Sequence, residues 1–163
     1  MDAKAAIRAT ADLSTMVLKM YFEDFDDADL MKRPGPGCNH LACQQGHLIT
    51  SECGLLNAVH PDAAPQLPAG FAEKHSKDTV GVDDPSQFAT KQEYLDLLDT
   101  VRAATFAAIE RIDDSELDQP APEHLRNRFP TTGHIYLLIA THQMMHAGQF
   151  VPVRRALGKP IVI

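Results

Sequence analysis

Apolar residues recur at spacings of three and four along four stretches of the chain, and the period vanishes between them. In the first stretch, from about Ala3 to Asp24, Ala6, Ala9, Leu13, Met16 and Met20 repeat on one face with Val17 beside them, the spacing of an amphipathic helix. Pro34, Gly35, Pro36 and Gly37 then break the chain. Asn39 is placed to cap a second helix from His40 to about Val59. Its inward stripe is mixed: His40, Cys43, His47 and Gly54, flanked by Leu41, Leu48 and Leu55. From His60 to Lys91 prolines, glycines and aspartates dominate and no period survives. A connection of that length is unusual in a compact domain unless it covers an opening or crosses over. It is long enough to span a helix end to end, so the second and third helices can run parallel.

Thr90 and Glu93 form a capping-box pattern that opens the third helix, whose stripe is Tyr94, Leu98, Val101, Thr105, Ala108 and Ile112. After a proline-containing connection from Asp113 to Pro130, Thr132 is placed to cap a fourth helix that ends near Gly158. Its inner stripe reads Ile135, Leu138, Ile139, His142, Met145, His146 and Gln149, and Pro152 inside it predicts a bend. Four amphipathic helices without a strand pattern predict an all-α four-helix bundle, with residues 1–163 forming one domain and a long crossover loop between helices 2 and 3. The apolar tail Ile161-Val162-Ile163 is expected to pack on the bundle or against a second subunit.

Composition narrows the classes of partner. A net charge of −7 with no local basic cluster repels phosphate backbones, which argues against nucleic acid. The longest apolar run, Ile135 to Ala140, is too short for a membrane span. The acidic N-terminus lacks the apolar segment of a signal peptide. Cys38, Cys43 and Cys53 are odd in number and form no CxxC pair, pointing to a reducing cytoplasm.

The candidate chemistry lies in the histidines. His142 and His146 are four residues apart, about 40° of rotation and one turn of rise on a helix, so both rings point the same way. On an inward face two imidazoles cost desolvation and leave hydrogen bonds unmet, and a divalent cation removes both costs. His47 is the central polar member of the second helix's stripe, and as a third ligand it would leave an open coordination position, as catalytic zinc sites do. Gly46 and Gly148 would let helices approach closely. His40 reads as a helix-start residue near the pocket mouth, with a fourth ligand or substrate-facing base as the alternative. Cys43 reads as a small buried hydrophobe, with a zinc-binding thiolate as the alternative. Gln149 either orients a ligand ring or satisfies a helix contact. Glu52 points away from the histidine stripe and suits a structural ion pair; Tyr94 and Thr105 suit core packing; His60, His75 and His124 are expected in solvated loops, and His134 on the surface. No GxSxG, P-loop or GxGxxG motif offers another catalytic reading.

The segments "GCNHLACQQGHLITSE" and "THQMMHAGQF" together resemble the DinB-like superfamily, also called YfiT-like, over nearly the whole chain. The resemblance implies a metal-binding four-helix bundle in which His47, His142 and His146 hold zinc or nickel, and many members are homodimers. It also implies thiol-dependent chemistry, a transferase or isomerase using a low-molecular-weight thiol such as bacillithiol or mycothiol and a small-molecule substrate. The sequence departs from the family where a tryptophan often precedes the ligand region of the second helix; Asn39-His40 stands there instead. The alternatives are a metal-dependent hydrolase and a non-enzymatic, stress-associated metal-binding protein.

Overall fold

The computed structural model describes residues 1–162. Four long helices form the frame: α1 (Ala3–Phe22), α2 (Leu41–Val59), α4 (Lys91–Arg111) and α6 (Thr132–Ala156). Two single-turn helices, α3 (Phe71–Lys74) and α5 (Glu123–Arg126), and several 3-10 turns occupy the connections. No strand forms among the described residues; one isolated antiparallel bridge joins Pro120 to Thr131. The helical architecture is the one expected, although the crossover between α2 and α4 carries more local structure than its composition suggests.

Contacts between helices fix their directions. Tyr21 and Asp24, at the end of α1, meet Arg154 near the end of α6, so these two helices run parallel. Lys4 and Arg8 reach Glu110, and Lys19 pairs with Asp99, so α4 runs antiparallel to α1. Glu52 of α2 meets Arg102 and Thr105 of α4, while Gly46 lies against His75, which touches Tyr94 at the start of α4. Thus α2 and α4 run parallel, as the long crossover predicts.

Local signals explain most boundaries. Thr90 and Glu93 form the reciprocal capping box at α4. Asp2 caps α1 by accepting from the Ala5 amide at 2.8 Å. At α2 the cap is His40 and not Asn39: its Nδ1 accepts from the Cys43 amide at 3.0 Å. The last helix begins one residue earlier than expected, with Thr131 at the N-cap, and runs through Pro152 to Ala156. Gly158 follows at φ 69°, the left-handed conformation that ends helices.

Two faces differ from the expected ones. In α1 the buried residues are Ile7, Ala11, Ser14, Val17, Leu18, Tyr21 and Phe22. The expected stripe turns outward, with Leu13 51 % and Met16 49 % exposed. Both faces of α1 carry apolar residues at helical spacing, and the larger side chains, Tyr21 and Phe22 among them, take the core because they bury more area. In α6 Met145 and Gln149 are exposed, and Tyr136, Ala140, Gln143, Ala147 and Phe150 fill the interior beside Ile135, Ile139 and His146. The inward face is therefore rotated toward α1. Val162 packs against the core, Ile161 is exposed, and Ile163 lies outside the described residues.

The core divides into two apolar clusters. One contains Leu18, Phe22, Leu41, Tyr94 and Phe150; the other contains Ile7, Leu56, Ile109, Tyr136 and Ile139. Between them lies a polar belt. Glu52 pairs with Arg102 at 3.0 Å, accepts from Thr105 at 2.7 Å and accepts from the Gln143 amide at 3.4 Å. Burial raises the Glu52 pKa, and the Arg102 charge with the Thr105 and Gln143 donors opposes that. Glu52 is therefore the partner of a structural ion pair, as expected, and Thr105 is part of it.

Candidate metal centre

α2 and α6 run antiparallel where they meet, since Glu52 touches Gln143 while His47 lies beside His142 and His146. That crossing brings three imidazoles together from positions almost a hundred residues apart in sequence. Their ring centroids are 5.3 Å apart for His47–His142, 5.4 Å for His47–His146 and 5.0 Å for His142–His146. One nitrogen of each lies within 4.8 Å of the others. Three nitrogens about 2.0 Å from a tetrahedral zinc would be about 3.3 Å apart, a closure that small side-chain rotations supply.

The electrostatics favour lone-pair donation. Burial lowers the His142 pKa to about 4, helped by His47, and lowers His146 to about 4, helped by His142 and His47 and opposed by Gln149. Burial also lowers His47. All three rings are neutral at pH 7, and no carboxylate joins the cluster. His146 Nδ1 lies 3.2 Å from the acceptor Gln44 Oε1, while its Nε2, in a residue only 8 % exposed, has no hydrogen-bond partner. A buried orphan nitrogen beside two neutral imidazoles fits a divalent cation, which takes nitrogen lone pairs and needs no proton from its ligands.

The cluster opens on a pocket of about 410 Å³ whose wall includes Cys38, Asn39, Gln44, His75, Lys77 and Gln149. A second pocket of about 410 Å³, lined by Phe71, Phe88 and Leu97, lies on the other side of His75 and reaches none of the three rings.

Other candidate residues fall into place around this site. His40 is fully buried and caps α2, with Nε2 3.2 Å from the Val82 carbonyl and its ring edge-on to Phe88. It does not line the pocket. Cys43 is 1 % exposed and its thiol pKa is raised by burial, as befits a packed side chain. Gln149 stands exposed on the pocket rim. The glycine expectations change: nothing lies within 4 Å of a Cβ at Gly148, so no close helix approach occurs there.

His75 is the largest correction. Far from solvated, it is 4 % exposed and bridges the Phe71 carbonyl, at 2.7 Å, and the Tyr94 hydroxyl, at 2.6 Å. Its ring lies flat against α2 at Gly46, where a Cβ would stand 2.0 Å from the ring. Gly46 therefore serves the crossover and not a second long helix. Gln44 was missed as well. Its signal was a polar residue one turn before His47, about 60° around the helix, in a segment that otherwise buries its side chains.

The comparisons agree with the fold. The DinB superfamily profile matches residues 10–150, and the chain belongs to that superfamily. A crystal structure of a conserved protein from Enterococcus faecalis is similar at 18 % sequence identity, with a TM-score of 0.73, covering 98 % of this chain and 99 % of that one; it supports the fold. No curated protein matches. Superfamily membership and the three-histidine cluster are compatible with a metal-binding protein.

Proposed function

We propose that the protein is a metal-dependent enzyme of the thiol S-transferase or isomerase type, with His47, His142 and His146 as ligands of one divalent ion, zinc or nickel. The observation that carries this reading is the convergence of three neutral imidazoles, two of which, His47 and His146, line an open pocket, with one buried nitrogen unpartnered. A bound divalent ion supplies Lewis acidity that lowers the pKa of a thiol or water in its open position. The chain's own residues do the remainder. His75 and Gly46 close one wall, and Lys77 offers a positive charge on the rim to an anionic group of a small-molecule substrate or thiol. No side chain in the pocket is an evident general base, which suits chemistry whose activation comes from the ion. If water replaces the thiol, the same arrangement is a hydrolase. If neither reacts, it is a non-enzymatic metal-binding module.

The single domain acts in the cytoplasm, consistent with three free cysteines, of which Cys38 is exposed. No helix among the described residues is long and apolar enough to cross a membrane. Neither a membrane nor nucleic acid is a partner in this reading. A second copy is: the outward Leu13 and Met16 of α1 and the outward Leu137, Met144 and Met145 of α6 are exposed apolar side chains that a homodimer would cover. Cobalt-substituted protein titrated with low-molecular-weight thiols tests the activity. A sulfur-to-cobalt charge-transfer band with thiol-dependent turnover of a model electrophile supports it; an unchanged spectrum and no turnover would refute it.

A further inference from the structure

We infer that Gln44 is a positioning residue that sets the tautomer of His146 before any metal arrives, leaving Nε2 as the metal-facing lone pair; the inference rests on the three-histidine reading above. The Asn39 backbone carbonyl can only accept, and the Gln44 side-chain amide nitrogen lies 2.9 Å from it. That contact orients the amide, because the reverse orientation would set two oxygens against each other. Gln44 Oε1 is thereby turned toward His146 Nδ1, 3.2 Å away. An amide oxygen accepts only, so Nδ1 must carry the proton. A neutral ring has one N–H, and Nε2 is left as a bare lone pair. That nitrogen is the one without a hydrogen-bond partner.

The other two rings have no comparable constraint. The Ser51 hydroxyl lies 3.3 Å from Nδ1 and 3.4 Å from Nε2 of His47, and can donate or accept. No hydrogen bond reaches His142 among the described residues. Gln44 is 3 % exposed, so water does not compete for its oxygen. His146 is the anchored ligand, held by a chain that ends on the backbone of the loop forming the pocket wall. Metal-bound histidines generally need such a partner, and its removal lowers metal affinity about 10–100-fold.

The test uses the full-length protein with two readouts. Two-bond 1H–15N correlation spectra of the metal-free protein report the His146 tautomer, and competition with a chromophoric chelator reports zinc affinity. In the wild type His146 is expected in the Nδ1–H form. Gln44→Met should mix the tautomers and weaken zinc about 10–100-fold. His146→Ala separates the two layers of argument. If it loses zinc while Gln44→Met keeps wild-type affinity and tautomer, the relay is wrong and the metal centre stands. If it binds zinc like the wild type, the metal centre is wrong, and the metal-free spectra still decide the relay. An Nε2–H ring in the wild type overturns the relay outright, whatever the variants do.

Discussion

Two polar clusters sit inside this bundle, barely a turn apart along α2 and α6, and they are built on different principles. Glu52, Arg102, Thr105 and Gln143 set an acid against a base and two neutral donors, although Arg102 Nε and Nη1 and Gln143 Oε1 keep no hydrogen-bond partner. His47, His142 and His146 contain three neutral rings with no charge of opposite sign among them, and His146 Nε2 has no partner. The first cluster is closed: its charges cancel, and its role is to hold α2, α4 and α6 in register between two apolar layers. The second is open, since its lone pairs converge beside a pocket, and His47 makes His142 and His146 harder to protonate. Complementarity within a buried polar cluster marks structure; uniformity marks a place waiting for a ligand of the missing character.

The contrast is most severely tested by removing a partner from the closed cluster. Glu52→Ala strands the Arg102 guanidinium, 3 % exposed, and should destabilise the fold by about 3–5 kcal/mol; urea unfolding measures this, and a change below 1 kcal/mol would show that the pair does not hold the helices. Removing a member of the open cluster should do the reverse. His142→Ala is expected to lower divalent-metal affinity by more than about 100-fold while shifting metal-free stability by less than about 1 kcal/mol. Isothermal titration alongside the same unfolding assay checks both halves.

Acid should separate the clusters by pH. Unfolded histidines take up protons near 6.5, whereas folded His142 and His146 resist until about 4. Protons therefore bind the unfolded chain preferentially between these values, so stability is full above pH 6.5 and declines as pH falls toward 4. His40 and His75, also lowered by burial, act in the same direction. Metal-free protein unfolded in urea at pH 7.5, 6 and 5 should show a falling midpoint; a flat profile would mean the rings are not buried as described. The smallest effect expected is at the pocket wall. Gly46→Ala forces the His75 ring away and should cost about 1–3 kcal/mol, read as a lower melting temperature.

Much of this was legible in the sequence because it is local. The capping box at Thr90 and Glu93, the spacing of His142 and His146, and the length of the crossover each depend on neighbours in the chain, and the structure places all three as expected. His47 was legible because it interrupts an apolar stripe. The α1 face was not, since Ala9, Leu13 and Met16 compete with Ile7, Ala11 and Val17 as equally periodic sets, and only packing against α6 chooses between them. Nor was His75, whose burial depends on where the crossover settles against Gly46. Gln44 was hidden for the same reason: its role depends on a carbonyl five residues back and a ring 102 residues ahead.

The central claim is that three imidazoles from two helices hold one cation, and metal content measures it most directly. Protein purified after exposure to zinc and nickel, then dialysed, should retain about one divalent ion per chain by elemental analysis, and His47→Ala prepared in parallel should retain almost none while keeping its helical circular dichroism. Equal metal in both proteins, or none in the wild type at neutral pH, would contradict the account.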